Sequence, residues 1–135
     1  MSGLSLATGA AEISRAMLES VAYRLAIVYE RLAPLAAPGH RVIASRGALH
    51  RSPVWAGIMA DVLGVPATLS GEAEASSRGT ALLALAGLDS CLASPPLAPS
   101  TGVTVAPDPE RHGIYQAALE RHRRLYETVV GPGVS

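Results

Sequence analysis

The sequence contains no lysine and no phenylalanine, and it has one cysteine and one tryptophan among its 135 residues. Without lysine it cannot form a phosphate-binding loop that ends in Gly-Lys-Ser/Thr, and it cannot use a lysine as a Schiff base. The single cysteine, Cys91, cannot form an internal disulfide, and no neighbouring residue would activate its thiol. The core must therefore be built mainly from small and aliphatic side chains.

Charge is also scarce, because 11 basic and 11 acidic side chains balance in a chain that is 49% hydrophobic. This composition excludes a charged disordered tail, and it argues against partners such as nucleic acid or a membrane surface. No apolar run reaches the roughly 18–20 residues that cross a membrane, and residues 1–12 lack the features of a signal peptide. We expect one domain in the cytoplasm.

The apolar pattern predicts a first helix over residues 10–33, which ends where prolines follow. Its apolar residues recur at intervals of three or four, and this is the face that we expect to be buried: Ile13, Met17, Val21, Leu25, Val28 and Leu32. A short β-branched strand is predicted at residues 41–45. The sequence Ser52-Pro53 then predicts a helix start, and Gly64 predicts its end.

The second half of the chain continues the alternation of strands and helices. A short strand is predicted at residues 65–69, where Pro66 indicates an edge strand or the beginning of a strand. A helix over residues 73–86 is expected to end at Gly87, followed by an irregular loop over residues 88–109. A last helix over residues 110–129 is expected to bury one face, formed by Ile114, Ala118, Leu125 and Val129.

The predicted order is helix-strand-helix-strand-helix-loop-helix, which is an α/β pattern. Two short strands cannot cover four helices, and isolated pairs of strands are marginally stable. The chain therefore suggests part of a larger sheet, or an oligomer that supplies the missing surface.

The turn around Gly47, between the first strand and the second helix, is the strongest local sign of a binding site. A glycine at such a turn lets backbone amides approach a ligand without obstruction by a Cβ atom. The start of the following helix offers unpaired N–H groups and the positive end of the helix dipole. These features suit an anion or a nucleotide, although many α/β proteins have such a turn without a ligand.

Four partial motifs, in order along nearly the whole chain, resemble the C-terminal part of the FGGY family of carbohydrate kinases, especially its gluconokinase- and xylulokinase-like members. They are ISRAMLESVAY at residues 13–23, Gly47-Ala48 with Ser52, Trp55, ADVLG at 60–64 and Pro66, EASSRGTALLA at 74–84, and Tyr115 with Arg121-His122 and Leu125-Tyr126. Four motifs in register are more specific than any one of them.

The resemblance implies an actin-like ATPase fold of the ribonuclease-H type, here a partial, truncated C-terminal domain over residues 1–135. It also implies a family activity, the transfer of the γ-phosphate of Mg-ATP to a sugar hydroxyl. By the same resemblance, Gly47 and Ala48 provide close backbone beside the nucleotide, and Arg51 and Ser52 lie near the base or ribose. Gly79 lets the next helix pass near the nucleotide, at a cost of about 1 kcal/mol relative to alanine.

The sequence also departs from the family. Arg46 stands where the family has the first glycine of its pair, and it either obstructs the nucleotide or reaches a phosphate. We find no counterpart of the family's N-terminal domain, its Asp-x-Gly-Thr hairpin or its catalytic aspartate. We therefore expect a nucleotide-binding segment that is inactive alone, or active only with a separately encoded partner chain. A non-catalytic, self-associating assembly module and a gene remnant are the alternatives, and the sugar is undefined.

Other polar residues have two interpretations each. Asp61 is either a base or Mg²⁺ ligand, or a solvated or helix-packing residue, and we favour the second. Glu72 and Glu74 are explained by the dipole of the following helix rather than by a metal pair. Trp55 is expected to pack in the core rather than on adenine, and residues 121–124 are expected to form a solvated face. The histidines lack the spacing of a zinc site.

Overall fold

The computed structural model describes residues 4–45, 49, 51–72, 74–88 and 101–131. In chain order the elements are helix α1 (Ala10–Leu32), a 3-10 turn (Ala33–Leu35), strand β1 (Val42–Ala44), helix α2 (Pro53–Leu63), strand β2 (Ala67–Ser70), helix α3 (Ala75–Leu88), strand β3 (Thr101–Val105) and helix α4 (Pro109–Val130). The predicted helices are all present, and α3 runs through Gly87 instead of ending there.

The sheet has the order β1-β2-β3, with β1 parallel to β2 and β3 antiparallel to β2. The third strand lies in the region predicted as an irregular loop, residues 88–109, so that prediction was wrong for residues 101–105; residues 89–100 lie outside the described ones. β3 makes β2 the central strand, and Pro66 directly precedes it. A proline fits there because it takes no part in the ladder of hydrogen bonds.

Helix α1 buries a different face from the predicted one. Its buried residues are Ala22, Tyr23 and Ala26, and the helix packs against α2 and α4. Small side chains such as Ala22 and Ala26 let neighbouring helices approach closely. The apolar stripe that we expected to be buried is largely exposed.

Helix α4 buries a face that only partly overlaps the predicted one. Tyr115 and Leu119 are buried and Ala118 packs against the core, whereas Ile114, Leu125 and Val129 are exposed. The start of the helix is well defined, since the Asp108 carboxylate accepts hydrogen bonds from the backbone N–H groups of Glu110 and Arg111. These bonds, with the nearby Arg111 cation, lower the pKa of Asp108.

Helix α2 supplies the centre of the core as the sequence predicts. Ile58, Met59 and Val62 are buried, and Trp55 and Leu63 pack against the same cluster. The core also receives side chains from α1, α4 and the sheet, including Leu69 and Val105 among its partly buried members. α2 is therefore the element around which the described residues are organised.

A polar cluster joins α1 to α4. The Arg15 guanidinium donates to Glu19 Oε1 over 2.7 Å and to Tyr115 Oη over 3.1 Å, and Tyr23 Oη donates to Glu19 Oε2 over 3.3 Å. Burial, reinforced by the negative charge of Glu19, raises the pKa of Tyr23. The hydrogen bond to Glu19 raises the pKa of Arg15. The cluster thus combines a neutral phenol with a permanent cation.

His122, on α4, makes the stability of the contact between α1 and α4 depend on pH. Its ring lies 5.5 Å from that of Tyr23, and its Nε2 is buried without a hydrogen-bond partner among the described residues. Burial, followed by the charge of Arg24, lowers the pKa of His122. Because the unfolded chain then binds the proton more tightly, stability is fully present above about pH 6.5 and falls as the pH drops below it.

We therefore expect thermal melts of the wild type to move to lower temperature between pH 7.5 and pH 5. The substitution His122→Phe keeps an aromatic ring beside Tyr23 but removes the titration, so its melting temperature should depend less on pH over this range. Equal pH dependence in both proteins would contradict this assignment.

Candidate functional site

The parallel pairing of β1 and β2 defines the edge of the sheet where a site can form. Parallel neighbours end at the same edge, and Ala44 pairs with Leu69 near both carboxyl ends. After β1 the chain continues into residues 46–52 and α2, and after β2 it continues into residues 71–74 and α3. In open α/β sheets the crevice at the carboxyl ends of the strands is the usual place for a ligand.

Ser52 caps helix α2, as the sequence predicts. Its Oγ accepts a hydrogen bond from the Trp55 N–H over 3.3 Å, and Pro53 occupies the first turn, where a missing N–H costs nothing. The Ser52 oxygen is thus engaged with the backbone of the first turn of α2. Arg51, directly before it, is exposed.

The other site residues expected from the sequence are Gly47, Ala48 and Gly79. Gly47 and Ala48, together with Arg46, lie outside the described residues. Gly79 lies within α3, and a Cβ atom added to it would meet no atom within 4 Å among the residues that the structure describes. Close approach of this chain's own described backbone is therefore not the reason for this glycine, and approach of a ligand stays a prediction.

Glu72 and Glu74, at the start of α3, both contact Arg78, Glu72 through its carboxylate and Glu74 through its backbone carbonyl. The Glu72 carboxylate forms an ion pair with Arg78, and the Glu72 N–H donates to Ser70 Oγ over 3.1 Å. The carbonyl of Glu74 accepts from the Arg78 N–H over 3.0 Å. No group of three or more histidine, cysteine, aspartate or glutamate side chains suited to a metal ion occurs within the described ranges.

Asp61 joins helix α2 to α4, which supports the packing interpretation. The side chain is 2% exposed, and its Oδ1 accepts a hydrogen bond from the Asp108 N–H over 2.8 Å. The other carboxylate oxygen, Oδ2, lies 3.2 Å from Arg111 Nε. Both oxygens therefore hold the start of α4.

His112 completes this joint from the first turn of α4. Its Nδ1 lies 2.7 Å from the carbonyl oxygen of Asp61, which accepts a hydrogen bond from it. The ring lies against Gly64, the C-terminal cap of α2. Sequence reasoning missed His112, and only the Asp-Pro pair at 108–109 signalled a helix start there.

Two further predictions concern Trp55 and residues 121–124. Trp55 packs against the core cluster, as expected for a core residue. Within residues 121–124, Arg123 forms ion pairs with Glu30 and Glu120, and Arg121 and Arg124 are exposed. The prediction of a solvated face therefore holds for Arg121 and Arg124, whereas His122 and Arg123 are half-buried. None of the helices of the described part is long and apolar enough to cross a membrane.

Solved structures of sugar kinases share this arrangement. A xylulose kinase from Rhodospirillum rubrum matches with a TM-score of 0.75 and 33% identity, over 95% of this chain and 26% of that one. A gluconate kinase from Lactobacillus acidophilus matches with a TM-score of 0.70 and 19% identity, again over 95% and 26%, which is evidence of the fold alone. The chain therefore has the partial actin-like ATPase fold that we expected.

The sequence comparisons identify the family. A sequence model of the FGGY family of carbohydrate kinases, C-terminal domain, matches residues 1–88. Glycerol kinase 1 from Thermotoga maritima is 30% identical over 83 residues, which are 62% of this chain and 17% of that protein. The chain belongs to the FGGY family of carbohydrate kinases, and it corresponds to the C-terminal domain. It spans about a quarter of the length of the solved kinases that it matches.

Proposed function

We propose that this chain is the nucleotide-binding segment of an ATP-dependent carbohydrate kinase, which transfers a phosphoryl group to a hydroxyl of a sugar or sugar acid. In this proposal Gly47 and Ala48 lie against the nucleotide, Arg51 and Ser52 lie near its base or ribose, and Gly79 lies close to it. The observation that carries the proposal is positional. All five residues fall within residues 1–88, which match the family, and they follow the ends of two neighbouring parallel strands.

The described residues fit one wall of such a site. The first turn of α2 has backbone N–H groups without helical partners, and the helix dipole is positive at that end. Exposed Arg51 adds a full positive charge beside it, and the open space at Gly79 leaves room on the α3 side. These groups can bind and orient a polyanionic nucleotide, while bound Mg-ATP would supply the phosphoryl group.

We further propose that the isolated chain does not phosphorylate a sugar and acts in the cytoplasm as part of a larger kinase. The chain corresponds to about a quarter of the solved relatives, and none of its five proposed site residues is an acid or base suited to accept the proton of a hydroxyl. A coupled assay of ATP consumption with gluconate, xylulose and glycerol tests this. Sugar-dependent turnover by the purified chain would overturn it.

Nucleotide binding itself is tested at Arg46 by calorimetric titration with ATP. If only the nucleotide-bound conformation requires a positive φ angle at this position, the wild-type arginine is strained by about 1–3 kcal/mol on binding, and Arg46→Gly should bind ATP about 5- to 150-fold more tightly. Arg46→Ala is the matched control, because it removes the side chain's bulk without providing glycine's freedom. Equal gains in both variants would indicate obstruction by the side chain.

A weaker affinity in both variants would instead mean that Arg46 contacts a phosphate. If neither variant, nor the wild type, binds ATP under conditions in which each melts cooperatively, the nucleotide-binding proposal is wrong.

A further inference from the structure

Arg78 is the single basic side chain in the middle of the chain. Between Arg51 and Arg111 the sequence has no other arginine, no lysine and no histidine. The same stretch contains several carboxylates, among them Glu72 and Glu74. We call residues 71–79, which follow β2 and begin α3, the α3 side of the site. Any full positive charge that the α3 side offers to an anion must therefore come from Arg78.

The Arg78 guanidinium is held at the sheet edge where we propose that the nucleotide binds. It forms an ion pair with the Glu72 carboxylate, just after the end of β2 at Ser70. The Glu72 N–H donates to Ser70 Oγ over 3.1 Å, and the Arg78 N–H donates to the Glu74 carbonyl over 3.0 Å. These hydrogen bonds fix both partners of the ion pair near the carboxyl end of β2.

Arg78 also lies on the face of α3 that contains Gly79. Ala75, Arg78 and Gly79 are half-buried, whereas Ser76 and Thr80 are exposed. Residues three and four apart share a face of a helix, so this face is the one turned toward the domain. A Cβ atom at Gly79 would nevertheless meet no described atom within 4 Å. The face therefore leaves room for a ligand beside a cation.

The ion pair does not exhaust the capacity of Arg78 to bind an anion. A guanidinium has five N–H donors, and here one of its terminal nitrogens donates to Glu72 Oε1. The Arg78 side chain is 28% exposed, so an anion can reach it from solvent. As long as the pair is intact, however, the Glu72 carboxylate cancels the positive charge. A phosphate oxygen would have to compete with that carboxylate for the guanidinium.

We infer that Arg78 binds a phosphate oxygen of the nucleotide, and that Glu72 is an intramolecular competitor that occupies Arg78 in the absence of nucleotide. This inference rests on the proposed function, and it adds a second cation to the exposed Arg51 that precedes α2. Carboxylate and phosphate both accept hydrogen bonds from the planar guanidinium, so one can replace the other. The ion pair then weakens nucleotide binding by the free energy needed to break it.

Calorimetric titration with ATP tests the inference on the wild type, Arg78→Gln, Glu72→Gln and the double variant. Arg78→Gln should bind ATP at least about tenfold more weakly, because it removes a charge-assisted hydrogen bond. Glu72→Gln should bind ATP about two- to fivefold more tightly, because nucleotide no longer has to break a partly exposed ion pair. In the Arg78→Gln background, Glu72→Gln should have no effect.

The double variant separates competition for Arg78 from electrostatic repulsion of the phosphates. If Glu72 acted by repulsion alone, removing its charge would tighten ATP binding in both backgrounds, and the inference would be wrong. Adenosine is the second probe, since it has no phosphate. Arg78→Gln should leave the affinity for adenosine unchanged, and an equal loss of affinity for adenosine and ATP would overturn the inference.

Arg123→Gln is the matched control for the loss of an arginine charge. Arg123 is 32% exposed and pairs with Glu30, in a contact that joins α1 to α4 rather than β2 to α3. This variant should bind ATP as the wild type does, and a loss equal to that of Arg78→Gln would mean that charge alone explains the effect and overturn the inference.

Thermal melts of each variant distinguish failure of this inference from failure of the proposed function. If the wild type binds ATP and a cooperatively melting Arg78→Gln protein binds it equally well, only this inference is wrong. If Arg78→Gln does not fold, Glu72→Gln still decides, since an affinity no higher than that of the wild type overturns the inference. If no variant binds ATP while each melts cooperatively, the proposed function is wrong and this inference falls with it.

Discussion

Replacing Gly64 with alanine is expected to destabilise the protein by about 2–4 kcal/mol, one of the two largest effects that we predict. Gly64 ends α2 with φ of 67° and ψ of 16°, the left-handed region that residues with a Cβ atom rarely adopt. A Cβ atom there would also lie 2.4 Å from Cε1 of His112. The His112 ring cannot move away freely, because its Nδ1–H is hydrogen-bonded to the Asp61 carbonyl oxygen.

The matched control for this substitution is Gly57→Ala. Gly57 lies inside α2, where a Cβ atom would meet nothing within 4 Å, so alanine there should raise stability by up to about 1 kcal/mol. Thermal melts measure both variants. If Gly64→Ala lowers the melting temperature no more than Gly57→Ala does, the proposed role of Gly64 is wrong. The double variant Gly64→Ala, His112→Ala separates the contact from the backbone strain.

Replacing Asp61 with alanine is expected to cost about 2–3 kcal/mol, because it leaves the Asp108 N–H without an acceptor and the Arg111 guanidinium without its buried partner. The carboxylate is 2% exposed, whereas Arg111 is 60% exposed at its side chain. The loss should therefore come mainly from the unsatisfied Asp108 backbone group, since Arg111 can turn to water.

Two control variants divide this effect. Asp61→Asn keeps a carbonyl acceptor for the Asp108 N–H and should cost less than Asp61→Ala. Arg111→Gln removes only a largely exposed charge and should cost at most about 1 kcal/mol. Denaturant unfolding measures all three. An Asp61→Ala protein as stable as the wild type would show that Asp61 does not hold α4 in place.

Local sequence signals determined both ends of α2, although Gly87 does not end α3. Ser52-Pro53 begins α2 and Gly64 ends it, because capping and left-handed backbone conformations depend on residues within one turn of each other. The motifs that resemble the FGGY family also depended on order along the chain alone, and both the family and the fold were confirmed by comparison. The proposed site at Gly47, Ala48, Arg51, Ser52 and Gly79 stays a prediction.

The third strand, and the contact between α2 and α4 at Asp61, could be recognised only from the tertiary structure. Residues 101–105 form a strand only because β2 presents an edge to them, although their β-branched composition was compatible with one. Asp61 and Asp108 meet across 47 residues, and no periodicity of either helix indicates that contact.

The buried faces of the helices show most clearly where sequence reasoning stops. Apolar spacing established that α1 and α4 are amphipathic helices with an apolar face each. It did not determine which face this chain buries, because burial depends on where neighbouring elements lie and on side chains, such as Ala22 and Ala26, small enough to admit them. The tertiary structure alone made that choice, and it left the apolar stripe of α1 facing outward.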